Sequence, residues 1–152
     1  MNYKYRDYFK AYYNYKQANK ELNKIQNEIV DIINCMLSTT STIKEVATST
    51  KSTNDKLTEL TARKIELEEQ QCLKIKILDI RVEQLRDTEK QLRNSRETKD
   101  IIYYKYFIQH LKVIDIAKSI NFVSGYVYQL LREIKEDTSK IEKEIKEKNQ
   151  KK

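Results

Sequence analysis

The chain has 152 residues, with 30 Lys or Arg against 23 Asp or Glu, so its formal net charge is +7. It contains one glycine, no proline, one histidine and two cysteines. That inventory argues against a structural zinc site, which needs about four nitrogen or sulfur ligands, and the lack of helix breakers predicts an all-α fold of long helices. The positive charge is compatible with a nucleic-acid partner.

Residues 4–37 are predicted to form one helix, because large apolar residues recur there mostly at steps of three and four. Six tyrosines crowd into the first fifteen residues, which is more than one helix face can direct into a single core. Since tyrosine is enriched at protein interfaces, we predict that Tyr5, Tyr8, Tyr12 and Tyr15 bind a partner protein. Stacking on single-stranded nucleic acid is the alternative, with only a modest basic surface nearby to support it.

A Ser- and Thr-rich segment, residues 38–55, is predicted to form a loop because it carries few large apolar residues. A second long helix is predicted from Asp55, a good N-cap residue, to about residue 96. Its apolar residues keep a heptad-like spacing that polar residues interrupt in places. Residues 1–96 are therefore predicted to form a two-helix coiled-coil region that folds back as an antiparallel hairpin or pairs within a dimer.

Residues 97–136 are more apolar and predict a compact module. We expect a helix over residues 97–111, a short helix over "VIDIAKSI", a turn at "NFV" and a further helix that starts at Ser124 or, less favourably, at Val123. Asn121 tolerates the left-handed backbone that ends a helix tightly, and Ser124 is a strong N-cap type. Residues 137–152 are predicted to form a charged helical tail.

Side-chain directions in this module fit a helix-turn-helix. Ala117 supplies a small residue where the two helices would cross, and the apolar contacts are predicted at Ile116, Ile120, Phe122, Val127 and Leu130. On the second helix, one face is apolar, at Val127, Leu130, Leu131 and Ile134. The opposite face has hydrogen-bonding capacity, as a recognition helix in a DNA major groove requires, and consists of Gly125, Tyr128, Gln129, Arg132 and Glu136.

Nothing in the chain has the pattern of an enzyme. His110 has no nucleophile or acid at a recognisable spacing, and Glu66 and Glu69 are interpreted as part of a solvated helix face. We therefore predict no catalytic residue, no cofactor and no metal. Cys35 and Cys72 are interpreted as reduced thiols of a cytoplasmic protein, with a disulfide between them as the alternative. No apolar run is long enough for a membrane span, so no membrane partner is expected.

The segment "DIAKSINF…VYQLLREI" resembles the helix-turn-helix of sigma-factor region 4 and, more narrowly, phage-encoded transcriptional regulators of the ArpU and RinA kind. Residues 115–117 correspond to the E-I-A element of that pattern, residues 121–122 to its Gly-Tyr, and residues 127–130 to its V-Y-R-L. The resemblance is specific to residues 97–136. It implies binding of promoter DNA in the cytoplasm of a bacterial host, activation of late phage genes and, in some members, action with RNA polymerase.

The sequence departs from that pattern at three positions: Val123 replaces a serine cap, Gln129 replaces a basic residue, and Gly125 lies where arginine is common. The helix-turn-helix hypothesis predicts three kinds of contact with double-stranded DNA. Tyr128, Gln129 and Arg132 read bases, and Gly125 allows close approach of the DNA backbone. Phosphate contacts come from Ser124, Lys105, Lys112 and Lys118. Lys and Arg outnumber acids only slightly in this module, so we expect a homodimer or higher homo-oligomer to multiply the contacts.

Two other functions remain open on the sequence. One is a coiled-coil adaptor or inhibitor that binds phage or host proteins and keeps the helix-turn-helix only as a packing unit. The other is a small terminase subunit, a class that usually carries its DNA-binding module at the N-terminus, whereas here the module is C-terminal.

Overall fold

The computed structural model describes residues 2–45 and 50–151, with side chains described for residues 2–40 and 54–151. The described residues form helices and turns with no strand, which confirms the all-α prediction. No helix in this part of the chain combines the length and apolar character needed to cross a membrane. The elements are α1 (Lys4–Glu45), α2 (Thr50–Arg93), α3 (Thr98–Tyr103), a π-helical segment (Tyr104–Ile108), α4 (Val113–Ile120) and α5 (Ser124–Gln150).

The chain divides into two compact units. Residues 1–15 and 81–152 form one, which we call the terminal unit, and residues 16–80 form the other, which we call the middle unit. All 11 tyrosines of the chain lie in the terminal unit. Tyrosine spectroscopic signals therefore report on the terminal unit alone.

Much of the predicted Ser/Thr-rich loop is helical. Helix α1 continues to Glu45 and α2 already begins at Thr50, while residues 46–49 lie outside the described residues. Asp55 is consequently inside α2 and is not its N-cap, which corrects that prediction. Low apolar content indicated a loop, but neither proline nor glycine is present to end a helix.

Hydroxyl groups in this region are accommodated by the helices themselves. Thr39 and Thr40 each donate a hydrogen bond to the carbonyl four residues earlier, at 2.8 and 2.9 Å. Thr58 and Thr61 do the same in α2, at 2.9 and 2.8 Å. A Thr residue costs a helix about 0.7 kcal/mol at most relative to Ala, so these residues by themselves do not end one.

The middle unit buries few side chains. Ala18, Leu22 and Ile25 of α1 and Leu67 of α2 are among the buried ones. Two ion pairs join the helices: Lys74 Nζ lies 2.8 Å from Glu21 Oε2, and Arg63 Nη2 lies 3.6 Å from Glu28 Oε2. Both cysteines are in this unit, where Cys35 and Cys72 are exposed and free.

The terminal unit holds a compact core. It is built from the start of α1, the end of α2, and α3, α4 and α5, and its buried residues are Tyr5, Leu92, Ile102, Tyr103, Val113, Ile116, Ala117, Val127, Leu130, Leu131 and Ile134. The predicted apolar face of α5 is confirmed, since all four of its residues are buried. Each fully buried aliphatic side chain contributes roughly 1.5–3 kcal/mol relative to exposure.

The N-terminus of α1 is held by an acid that follows it by 95 positions. Asp100 is fully buried, and its Oδ1 accepts a hydrogen bond from the backbone N–H of Tyr5 at 3.0 Å. Its Oδ2 accepts the N–H of Lys4 at 3.2 Å and the hydroxyl of Ser95 at 2.6 Å. Asp100 thus satisfies free N–H groups at the positive end of a helix dipole, as an N-cap residue does.

A second contact fixes α1 to α5. The Tyr5 hydroxyl and Arg6 Nε both donate to Asp137 Oδ2, each at 2.6 Å. Burial alone would raise the pKa of Asp137, but the hydrogen bonds from Tyr5 and Arg6 outweigh it and hold that pKa below its usual value. The start of α1 is therefore part of the fold of the terminal unit.

The helix predicted over residues 97–111 ends earlier than expected. From Tyr104 the chain adopts π-helical turns, in which the Gln109 N–H donates to the Tyr104 carbonyl at 3.0 Å. His110 follows with a left-handed backbone, at φ 56°. Because the chain turns away at this point, Leu111 is exposed and does not join the core.

Candidate nucleic-acid interface

Helices α4 and α5 are joined by a tight turn at Asn121. Its backbone is left-handed, with φ 59° and ψ 40°, as predicted from the residue type. The N–H of Phe122 donates to the Ala117 carbonyl at 2.9 Å, and the N–H of Asn121 to the Lys118 carbonyl at 3.4 Å. This hydrogen-bond pair is a Schellman motif, which satisfies carbonyls that the end of α4 leaves free.

The prediction for the start of α5 is confirmed in part. The helix begins at Ser124 as expected, but its N-cap is Val123, the less favoured alternative, which has an extended backbone and no capping side chain. Phe122 is 40% exposed instead of buried. Its ring packs edge to face on the exposed Tyr126, with centroids 5.4 Å apart, because the tight turn leaves it at the outer corner of the unit.

The predicted outward face of α5 is exposed, as expected. It comprises Gly125, Tyr128, Gln129, Arg132 and Glu136. A Cβ atom placed on Gly125 would meet no other atom within 4 Å, so no contact within the described chain requires glycine there. The face is open to a partner over its whole length.

The residues predicted to contact phosphate differ in how far they are exposed. Lys112 and Lys118 are exposed. Lys105 is half-buried and donates a hydrogen bond from Nζ to the Ser119 hydroxyl at 3.1 Å, which engages one of its donors. Ser124 is half-buried at the start of α5. None of these four residues lines the groove that holds Tyr128 and Arg132.

That groove, which we call the basic groove, has a volume of about 740 Å³ and runs along α5 beside the π segment and the start of α4. Four of its side chains are cationic and one is acidic. The Lys135 ammonium lies 5.4 Å from the centroid of the Tyr106 ring, within the range of a cation–π contact. The lining residues are Tyr106, Val113, Tyr128, Leu131, Arg132, Lys135, Glu136, Ser139, Lys140 and Lys143.

Sequence reasoning missed the C-terminal half of this groove. Lys140 and Lys143 had been assigned to a separate tail after residue 136, yet α5 continues without a break to Gln150. The signal was present, because residues 132, 136, 140 and 143 follow each other at steps of four and three and so share one helix face. No terminating residue separates them from the predicted recognition helix.

The N-terminal tyrosines lie mainly against their own chain. Tyr5 is fully buried and stacks on Tyr103 with centroids 5.5 Å apart, which corrects the prediction that Tyr5 binds a partner. Tyr8 packs edge to face on Tyr103 at 5.9 Å. Burial raises the pKa of Tyr8 to about 12, and it also raises the pKa of Tyr5 and of Tyr103. Tyr12 and Tyr15 are half-buried, and their partner contacts stay predictions.

Within the described residues, no cluster of three or more His, Cys, Asp or Glu side chains could hold a metal ion. No protein-family model, curated protein or solved structure matches the chain. The geometry and charge of the chain are therefore the basis on which its function is assigned.

Proposed function

We propose that the protein is a sequence-specific DNA-binding regulator of transcription, of phage or mobile-element genes. In this proposal α4, the turn at residues 121–123 and the start of α5 act as a helix-turn-helix, with α5 in the major groove. One observation carries it: Tyr128 and Arg132 of the exposed α5 face also line the basic groove. Base-reading groups and phosphate-binding groups are thus adjacent on one helix.

The residue types on the exposed face suit base reading. An Arg guanidinium can donate two hydrogen bonds to guanine, and a Gln amide can pair with adenine, each worth about 1–3 kcal/mol of discrimination. Arg132 and Gln129 lie on this face, while Gly125 leaves room for the DNA backbone to approach α5 closely. Loss of Gln129 should therefore alter which sequences bind more than it alters how tightly DNA binds overall.

The basic groove would supply affinity through the phosphate backbone. Each phosphate that a Lys or Arg neutralises steepens the salt dependence of binding by about 0.9 in log K against log salt. With Arg132, Lys135, Lys140 and Lys143 all engaged, one chain would contribute a slope of roughly −3 to −4. DNA affinity should therefore fall by roughly 60- to 250-fold between about 50 and 200 mM salt.

The middle unit supports assembly of the regulator. Ion pairs join Glu21 to Lys74 and Glu28 to Arg63. The later residue of α1 is thus paired with the earlier residue of α2, so the two helices run in opposite directions. We infer that they form an antiparallel hairpin. Large apolar side chains on both helices are exposed, among them Val30, Ile33, Ile65, Leu73 and Ile80. Pairing these surfaces between two chains would form a homodimer, which doubles the phosphate contacts.

The same exposed apolar residues also favour a second candidate function, a coiled-coil adaptor that binds another protein. The two functions make opposite predictions for α5. An adaptor would be indifferent to loss of Gln129 or Arg132, whereas changes at Leu73 and Ile80 would abolish its binding. A DNA-binding regulator would bind DNA more weakly after either set of substitutions, because the dimer multiplies its DNA contacts.

The proposal is tested by selecting double-stranded DNA from a random-sequence pool and measuring its affinity by fluorescence anisotropy between about 50 and 200 mM salt. Lys140→Gln and Lys143→Gln should each reduce the salt slope by about 1. Lys148→Gln is the matched control, since it removes the same charge from an exposed position of α5 outside the groove. An affinity that does not change with salt, or an equal effect of all three variants, would contradict DNA binding through this groove.

A further inference from the structure

A second cavity lies in the terminal unit and takes no part in the proposed DNA contacts. We call it the tyrosine pocket; its volume is about 420 Å³. Five of its eight lining side chains are Tyr or Phe, and the lining residues are Tyr8, Phe9, Tyr12, Tyr103, Phe107, Ile108, His110 and Thr138. Cavities that hold small molecules in proteins commonly measure about 300–1,000 Å³. The tyrosine pocket is thus large enough for a small ligand.

Two backbone irregularities coincide at its wall. Phe107 and Ile108 belong to the π segment, and His110 immediately beyond has a left-handed backbone at φ 56°. Short π-helical segments occur frequently at functional sites. A non-glycine residue with positive φ carries a conformational cost that the surrounding structure has to offset, and such residues cluster at ligand sites.

The chemistry of the lining restricts the charge of a ligand. No Asp, Glu, Lys or Arg side chain is among the lining residues, so the lining itself offers an ionised group no ion-pair partner. Hydrogen-bonding capacity is nevertheless present, in the hydroxyl of Tyr8 and in the His110 ring, while the Thr138 hydroxyl donates to the Lys135 carbonyl at 3.1 Å and can still accept. Burial raises the pKa of Tyr8 to about 12, so its phenol stays protonated and able to donate. These groups suit a neutral ligand with a polar edge.

The arrangement of the rings restricts the shape of a ligand. Tyr103 and Phe107 have centroids 4.7 Å apart with planes inclined by 35°, while Tyr8 meets Tyr103 at 69°. An inserted aromatic ring would therefore find both ring faces and ring edges within the cavity, and each such pair adds about 0.5–1.5 kcal/mol beyond area burial. An aliphatic ligand would gain only the free energy of burying its apolar surface area.

We propose that the tyrosine pocket is a binding site for a neutral, planar aromatic molecule that carries a hydrogen-bonding group, of the size of one or two fused rings. The site is separate from the basic groove, although the π segment contributes to both: Tyr106 lines the groove and Phe107 lines the pocket. The proposal therefore stands whether or not α5 binds DNA.

The test uses the full chain with indole and 2-naphthol as probes. Because the chain contains no tryptophan, the fluorescence of either probe can be excited with little protein background. Saturable binding of at least one probe, at one site per chain and with a Kd below about 1 mM, is the expected result. Absence of saturable binding for both probes would overturn the proposal.

Two variants locate the binding. Tyr12→Leu removes one ring from the lining, and His110→Gly removes another while retaining the fold, because glycine adopts a left-handed backbone without strain. Each should weaken probe binding by about 3- to 10-fold, from the loss of one ring contact. Tyr126→Leu is the control, since Tyr126 is exposed and lines neither the tyrosine pocket nor the basic groove, and it should leave probe binding unchanged.

Thermal unfolding followed by circular dichroism shows that each variant is folded before its affinity is compared. Binding that is equally strong in Tyr12→Leu, His110→Gly and the parent chain would place the probe elsewhere and overturn the site. Preferential binding of tetramethylammonium over both aromatic probes would identify a cation-binding cage and would likewise overturn the proposed ligand class.

Discussion

The substitution Asp100→Asn tests how strongly the N-terminus of α1 depends on a distant acid. Asp100 is fully buried and accepts three hydrogen bonds, from the N–H groups of Lys4 and Tyr5 and from the Ser95 hydroxyl. Asparagine has nearly the same shape but accepts hydrogen bonds at one atom only. Its NH₂ group must therefore face at least one donor that Asp100 now satisfies.

The magnitude follows from those contacts. A buried donor left without an acceptor costs about 1–3 kcal/mol. Removal of negative charge from a helix N-terminus costs a further 0.3–1 kcal/mol, roughly. We therefore expect Asp100→Asn to lower the free energy of unfolding by about 1.3–4 kcal/mol, which shifts the unfolding equilibrium about 10- to 700-fold.

Urea unfolding followed by near-ultraviolet circular dichroism of tyrosine is the appropriate assay, because all tyrosines lie in the terminal unit with Asp100. The same substitution at Asp115, an exposed acid in the first turn of α4, is the matched control. Asp115→Asn should lower the free energy of unfolding by only a few tenths of a kcal/mol, or about 1 kcal/mol at most. Hydrogen exchange at the Lys4 and Tyr5 amides should accelerate in Asp100→Asn alone.

A destabilisation no larger than that of the Asp115 control would refute this reasoning. So would unchanged exchange at the two amides, since their hydrogen bonds to Asp100 are the stated cause.

Burial raises the pKa of Tyr5 and brings that of Tyr8 to about 12. The folded state therefore favours the protonated phenols, and this contribution to the free energy of unfolding is present below pH 10.0 and is lost as the pH rises above it. A urea midpoint for the terminal unit that stays constant above pH 10.0 would contradict this. Burial raises the pKa of Asp137, but hydrogen bonds from Tyr5 and Arg6 lower it overall, so its stabilising contribution is present above pH 3.8 and lost as the pH falls below. Asp137→Asn should therefore flatten the acid dependence of the midpoint. Gly125→Ala should raise the free energy of unfolding by about 0.5–1 kcal/mol, because alanine favours a helix over glycine and the added methyl has no packing neighbour within 4 Å beyond its own stretch of helix backbone; a lower midpoint would contradict this.

Local residue preferences were sufficient to predict α4, its turn and the beginning of α5. Helix α4 occupies the predicted "VIDIAKSI" segment, and Asn121 adopts the left-handed backbone that its side chain tolerates. The buried face of α5 follows from apolar residues at steps of three, one and three, a pattern that few other arrangements satisfy. In this part of the chain, short-range signals agree with the packing.

Other features depend on contacts between residues far apart in the sequence. The burial of Tyr5 requires Tyr103 beside it, and a stretch of six tyrosines gives no indication of which one faces inward. The π segment has no distinctive composition, so the helix over residues 97–111 was predicted as regular. The sequence-based boundary at residue 136 divides the basic groove. A family resemblance sets that boundary, and the sequence has no helix-ending residue there.

Asp100 also sets an order of events during synthesis. Helix α1 leaves the ribosome with its first N–H groups unsatisfied, and the residue that satisfies them is made 95 positions later. At a translation rate of about 5–20 residues per second, roughly 5–20 seconds separate the two. Throughout that interval the tyrosine-rich start of the chain has no Tyr103 to stack on, and its rings remain exposed to chaperones and to neighbouring nascent chains. Lys4 and Tyr5 are thus made well before the acid that accepts their N–H groups.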